Sequence, residues 1–330
     1  MRVLGLETSC DDTSAAVVSG GRILSNVVSS QVALHRPFRG VVPELASRAH
    51  LANIVPIVKR ALALADGRVD AVSYTRGPGL MGPLLVGKVA GQTLARLLDV
   101  PSVGVNHLEG HVLAAELEHS LRWPLAALVV SGGHTDLVLA QAPGRYRVLG
   151  RTRDDAAGEA YDKVARLFGL GYPGGPEIDR FALKGDPSAV DFPRPFLEGS
   201  WDFSFSGLKT SVLYHLRDDP RPVRGRRLAD LCASFQESVA ETLVDKTLAA
   251  ARHFGAKDVV IGGGVAANSR LRRLMKERGE AAGLRVRLPS RALCTDNAAM
   301  IAHVGARMLR AGRASGAGRA NPALALRSWA

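Results

Sequence analysis

Cysteine is scarce. Cys10, Cys232 and Cys294 form an odd, scattered set without a C-x-x-C pair, which excludes a disulfide framework and a zinc ribbon. A long apolar run is also missing: the stretch from Trp123 to Val130 falls far short of the ~18 residues a membrane span needs. The opening Met1-Arg2-Val3-Leu4-Gly5-Leu6-Glu7 puts a carboxylate where a signal peptide carries its apolar segment. The expectation is a soluble, cytoplasmic protein in a reducing setting, with no membrane partner. No G-x-x-x-x-G-K-[ST] occurs, so a P-loop is excluded. Acidic residues are the scarcer charge, 31 against 43 basic, giving a net charge of +12 and a pI near 10.2. Such a surface favours polyanions, nucleic acid first and anionic lipid second. Only eight of the basic residues are lysine, so an arginine-rich coding bias is the competing explanation.

What is present is a globular composition: 330 residues, 46% hydrophobic and 22% charged. That length fits two domains of roughly 150 residues each. Val3 to Glu7 reads as a strand, Thr8 to Asp12 as a polar turn, and Ser14 to Val18 as a second strand. The same unit recurs as Leu125 to Val130, Ser131-Gly132-Gly133-His134, and Thr135 to Ala140. Ser9 maps to Ser131 and Thr13 to Thr135, which points to a duplicated domain; chance alignment of two common hairpins is the alternative. Further strands are expected at Ala71 to Tyr74, Ser102 to Val105 and Asp258 to Ile261. Helices are expected at Pro43 to Ala65, Leu80 to Leu98, Asn106 to His119, Ala156 to Phe168, Leu228 to Phe254, Ala267 to Arg278 and Asn297 to Leu309. Alternating strands and helices give an α/β class. The expected division is 1–120 and 121–296, with the helix at about 297–309 packing back on the first domain and 311–330 a basic mobile tail.

The sharpest chemical signal is Asn106-His107-Leu108-Glu109-Gly110-His111. Histidines at i and i+4 lie about 40° apart on one helix face and can share a metal. Glu109 lies about 200° round from His107, so the H-E-x-x-H protease arrangement is not formed. Two solvated or capping histidines are the plainer alternative. Asp296 is the best third ligand, although its place before an alanine-rich helix also suits an N-cap. Three glycine turns at strand ends suit a phosphate or nucleotide: Gly77-Pro78-Gly79-Leu80, Ser131 to His134, and Gly262-Gly263-Gly264 running to Asn268. Asp162 and Asp179, beside Tyr172-Pro173-Gly174-Gly175-Pro176, suit ribose hydroxyls or an amino group, with a helix ion pair and a first-turn acid as alternatives.

With these motifs in order, the chain resembles the tRNA N6-adenosine threonylcarbamoyltransferase family, formerly called glycoproteases. The carriers are Gly5 to Asp11, Val41 to Arg48, Gly77 to Leu80, Asn106 to His111, Val130 to Thr135, Asp154 to Lys163, Tyr172 to Pro176, Gly262 to Asn268 and Thr295 to Asn297. The resemblance covers nearly the whole chain. It implies two similar domains of the actin and sugar-kinase (ribonuclease H-like) fold. It implies one divalent metal, Fe2+ first and Zn2+ second, on His107, His111 and Asp296. It implies a threonylcarbamoyl-adenylate site lined by Val129, Val130, Ser131, Gly132, Gly133, Asp162, Gly175, Asp179 and Asn268. The implied reaction moves threonylcarbamoyl from that adenylate to N6 of adenosine 37 in tRNAs reading ANN codons. The implied partners are tRNA, a metal-less paralogue and a small ATPase. His134, Asp11 or Asp12 would relay the amine proton, His134 first. Two departures stand out: Asp12 where the family usually has glutamate, and Arg39 ahead of Gly40 where it often has a second glycine. A small-molecule kinase on this fold would need no histidine pair, and a non-catalytic nucleotide-binding scaffold would need no metal triad.

Overall fold

The computed structural model describes residues 1–195, 199–313 and 318–329. Contacts divide the chain into two units: Met1–Ser120 with Pro143–Tyr146 and Asp296–Ala330, and Leu121–Ala142 with Arg147–Thr295.

The first unit runs β1 (Arg2–Glu7), β2 (Asp12–Ser19), β3 (Arg22–Ser30), α1 (Val32–His35), α2 (Pro43–Ala63), β4 (Ala71–Gly77), α3 (Met81–Leu97), β5 (Ser102–Asn106) and α4 (His107–Leu113). Its sheet has the order β3-β2-β1-β4-β5. The β1–β2 hairpin is antiparallel, whereas β4 and β5 join in parallel, which requires the crossovers that α2 and α3 supply. Leu4, Leu6, Val17, Val72 and Tyr74 from the sheet and Ile54 and Val58 from α2 form its core.

The second unit carries β6 (Leu125–Val130), β7 (Thr135–Ala142), β8 (Arg145–Arg151), α5 (Ala157–Leu167), α6 (Gly174–Ala182), α7 (Ser206–Asp218), α8 (Gly225–His253), β9 (Asp258–Gly262), α9 (Ser269–Ala281), β10 (Arg285–Arg287) and α10 (Arg291–Cys294). The first two residues of β8 group with the first unit, as does α11 (Ala298–Arg310). The second sheet has the order β10-β9-β6-β7-β8, the same as the first when read from its other edge. The duplication extends to register. The pairs from Val3–Val18 to Glu7–Ser14, moved along by 122 residues, become those from Leu125–Ala140 to Val129–Asp136.

Several elements differ from expectation. The edge strands β3, β8 and β10 and the helices α1, α6, α7 and α10 are not among the expected elements, because edges are partly polar, α1 and α10 span four residues each, and α6 opens on Gly174-Gly175-Pro176, which reads as a turn. The helix expected from Asn106 to His119 is α-helical only to Leu113 and continues as a 3-10 turn over Ala114–Leu117. Residues 318–329 of the expected basic tail make main-chain contacts with the first unit; residues 314–317 and 330 lie outside the described residues. The Asn321 amide donates to Arg76 O at 2.9 Å, the Gly79 amide to Pro322 O at 3.2 Å, and the Trp329 amide to Gly144 O at 2.8 Å. Leu326 is buried. Gly/Ala/Arg composition signals weak intrinsic structure, yet main-chain groups that find partners order a segment whatever its composition.

Candidate metal centre and glycine-rich cradle

Asn106 ends β5 and caps α4, its Oδ1 accepting the Leu108 and Glu109 amides at 2.9 and 3.3 Å. That cap sets the direction of a seven-residue helix whose every residue is buried. His107 and His111 face one another edge to face, ring centroids 4.7 Å apart. Asp296 lies just before α11, whose cap is Asn297 accepting from the Met300 amide at 3.1 Å. Asp296 Oδ1 is 3.1 Å from His111 Nε2 and 3.5 Å from His107 Nε2. The donor atoms of all three residues lie within 4.8 Å of one another. Two donors sharing a first-row metal at about 2.0–2.2 Å each stand roughly 3–3.5 Å apart. The donor set therefore fits one metal ion.

Glu7, not singled out from the sequence, completes the surroundings. This fully buried carboxylate sits 2.8 Å from His107 Nδ1 and accepts from Thr75 Oγ1 at 2.7 Å and from the Ser9 amide at 2.5 Å. It fixes the His107 ring and leaves Nε2 for the cluster, as carboxylates behind metal-binding histidines do. Burial raises Glu7, but the charge of His107 outweighs it and holds the group below its ordinary value. Burial likewise lowers His107, and the Glu7 and Asp296 carboxylates reverse this, raising it to about 9. Burial lowers His111, whose Nδ1 is buried without a hydrogen-bond partner. A cation entering here must displace the His107 proton.

Asp11 and Asp12 belong to the same unit. Burial raises Asp11. Burial first, then the charges of Asp296, Asp11 and Glu7, pushes Asp12 up to about 7. Asp12 Oδ1 is buried with no hydrogen-bond partner. Glu109 is turned to other work: its Oε1 accepts from Tyr146 OH at 2.8 Å. The Gly77 to Leu80 turn is not an anion receiver. Its Gly79 and Leu80 amides are taken by Pro322 O and Ser9 O.

In the second unit, Ser131 Oγ accepts the His134 amide at 3.1 Å, and the Ser131 amide donates to His134 O at 2.8 Å. The turn is thus closed and leaves Gly132 and Gly133 bare and exposed. Gly158, in the first turn of α5, supports it: a Cβ there would stand 2.6 Å from Ser131 O and 2.8 Å from Gly132 N. Open space lies beside the Cα atoms of Gly132, Gly133, Gly175 and Gly264. Val129 and Val130 are fully buried, because a central strand packs both faces. Asp162 accepts the Gly174 amide at 2.7 Å. Asp179 accepts from Ser269 Oγ at 2.6 Å and from the Ser269 amide at 3.2 Å. The Asn268 Oδ1 caps α9 by accepting the Arg270 and Leu271 amides at 3.1 and 3.0 Å, and its Nδ2 donates to Gln236 Oε1 at 2.6 Å. These three side chains hold helix starts around the cradle.

The family model for tRNA N6-adenosine threonylcarbamoyltransferase matches residues 22–303. Proteins of that name are 56% identical over 96% of this chain and 96% of their own in Salinibacter ruber, and 54% identical over 92% and 90% in Geotalea uraniireducens.

The chain belongs to the tRNA N6-adenosine threonylcarbamoyltransferase family.

This threonylcarbamoyltransferase modifies N6 of an adenosine in tRNA. Among solved structures it resembles T. kodakarensis HypF, with a TM-score of 0.67 and 15% identity over 96% of this chain and 48% of that one. A full-length HypF gives 0.63 and 13% over 95% and 56%. The transferase spans about half the length of those proteins, and the likeness shows the fold alone. Together with the two matching sheets it establishes the duplicated α/β fold. No helix among the described residues of the transferase is long and apolar enough to cross a membrane.

Proposed function

We propose that this transferase works in the cytoplasm as one component of a tRNA-modifying system. It takes threonylcarbamoyl from threonylcarbamoyl-adenylate and places it on N6 of adenosine 37 in tRNAs reading ANN codons. The observation that carries the reading is the set of donor atoms on His107, His111 and Asp296, within 4.8 Å of one another, with Glu7 behind His107. Imidazole and carboxylate suit Fe2+ or Zn2+, Fe2+ first. When bound, the ion supplies Lewis-acid stabilisation to charge on the carbamoyl oxygen.

The donor is a mixed carbamic–phosphoric anhydride, already activated, so the chain needs no covalent nucleophile. The adenine amine is weak because its lone pair is delocalised into the ring. Positioning and charge stabilisation therefore carry the rate. The N6–carbonyl bond forms, the bond from that carbonyl to the adenylate phosphate oxygen breaks, AMP leaves, and one amine proton passes to a base. Asp12, raised to about 7 first by burial, is one candidate base. His134, held by its backbone to Ser131, and Asp11 are the alternatives. The exposed glycines Gly132 and Gly133, with open space beside their Cα atoms, and the opening at Gly175 receive the adenylate. Asp162, Asp179 and Asn268 set the helix starts around it.

A metal-less paralogue and a small ATPase are the proposed protein partners. Contact with tRNA is mainly to phosphates, from the +12 net charge, so affinity falls steeply with salt. The test combines the purified chain, these partners, the adenylate and an unmodified ANN-decoding tRNA, with nucleoside mass spectrometry as the readout. Modified adenosine should form with metal-loaded protein and fall away after chelation. Equal yield from stripped and loaded protein would overturn the metal's role.

A further inference from the structure

A seven-residue helix cannot hold its own shape in water, since isolated helices under ~12–15 residues are marginal. The position of α4, and with it His107 and His111, must come from what grips it. Two grips trace to the same stretch of chain.

The first is at the cap. Asn106 spends its Oδ1 on the Leu108 and Glu109 amides, and its Nδ2 donates to Leu324 O at 3.3 Å and Ala325 O at 3.2 Å. The second is at the back of the helix. Tyr146 OH donates to Glu109 Oε1 at 2.8 Å. The Tyr146 amide donates to Ser328 Oγ at 3.0 Å, and the Trp329 amide to Gly144 O at 2.8 Å. A third tie reaches the cluster by another route. The Gly79 amide donates to Pro322 O; a Cβ on Gly79 would stand 2.5 Å from Ser9 O; Ser9 Oγ lies 3.2 Å from His107 Nδ1. Leu326 is buried between the first two grips in sequence.

We infer that Gly318–Trp329 is a strap that positions the metal centre, acting through Asn106 and Tyr146 on the helix that carries His107 and His111. Asn106 and Tyr146 are positioning residues, and neither belongs to the donor set. The inference rests on the metal reading above.

The test uses the full chain with Co2+ as probe, read by chelator competition for affinity and by visible absorption for ligand geometry. Asn106→Ser keeps a capping oxygen and removes the donor to the strap. Tyr146→Phe removes only the hydroxyl bonded to Glu109. Leu326→Glu disturbs the strap without touching cap or ligand. Each should stay folded by circular dichroism, weaken Co2+ by about 10–100-fold and change the absorption bands. Asn106→Ser combined with Leu326→Glu should be little worse than either alone, because both act through one link. Asn268→Ala, which removes a cap in the second unit, should leave Co2+ affinity unchanged, separating positioning from loss of stability. Wild-type Co2+ affinity and bands in folded Asn106→Ser and Tyr146→Phe, with His111→Ala unable to bind, would overturn the strap alone. Failure of the wild type to take up Co2+ would overturn the metal reading and the strap with it.

Discussion

The two units place the same hairpin at the same register and use its turn in opposite ways. In the first, the residues after β1 are rich in acids and hydroxyls, and Glu7 and Ser9 are buried against His107. In the second, the equivalent turn is Ser131-Gly132-Gly133-His134, closed on itself and bare at its glycines. One copy of the fold gathers charge into a dry place whose donor set is compatible with a cation. The other clears side chains away and leaves open space beside its glycines. A duplicated scaffold thus separates two requirements, desolvated carboxylates and open space, that one turn could not meet together.

The comparison breaks most sharply at the metal ligands. His111→Ala and Asp296→Ala should each raise the metal dissociation constant by at least about 100-fold and abolish transfer. Both should keep the fold and most adenylate affinity, as read by elemental analysis, single-turnover assay and calorimetry. The mirror-image variant is Gly158→Val. Its side chain would displace the Ser131–Gly132 backbone, a strain of about 1–3 kcal/mol. Adenylate affinity should fall while Co2+ affinity stays at the wild-type value.

Glu7→Gln sharpens the electrostatic half. In the metal-free protein His107 is raised to about 9, so metal must displace a proton and its affinity should rise with pH up to about 9. Removing the Glu7 charge lowers His107, so the rise should level off at lower pH. Affinity at high pH should also drop by about 10–100-fold. Metal titrations between pH 6 and pH 10 would read both, and parallel curves for wild type and variant would contradict the role given to Glu7.

The smallest effect is expected at Asn268. Loss of an N-cap costs about 0.5–2 kcal/mol of stability, so Asn268→Ala should lower Tm by a few degrees. Adenylate affinity should change only in proportion to any shift of α9. A large loss of adenylate affinity in a variant with unchanged Tm would return the Asn268 carboxamide to the ligand.

Asn268 also shows where sequence reading stops. Its place after three glycines and before a helix is legible, but whether its amide meets a ligand or Gln236 depends on a residue 32 positions away. Glu7 was hidden for the same reason, since its partner His107 lies 100 residues on; a carboxylate closing an otherwise apolar strand was the only local sign. Val129 and Val130 were placed in the correct strand, but their full burial was not legible, because a motif fixes position along the chain and not burial. The histidine pair was legible because i and i+4 on a helix is a local geometry. Asp296 needed the family resemblance as well. The paired sheets were legible from one repeated turn, whereas partly polar edge strands such as β3 carried too little pattern to be read.

The division between the units is tested most directly in one variant. Asp296→Ala, confirmed as folded, would be titrated with Co2+ and with threonylcarbamoyl-adenylate in parallel. The account predicts that Co2+ binding is lost while adenylate binding stays within a few-fold of wild type. A folded Asp296→Ala that binds Co2+ as tightly as the wild type and transfers at the wild-type rate would contradict it.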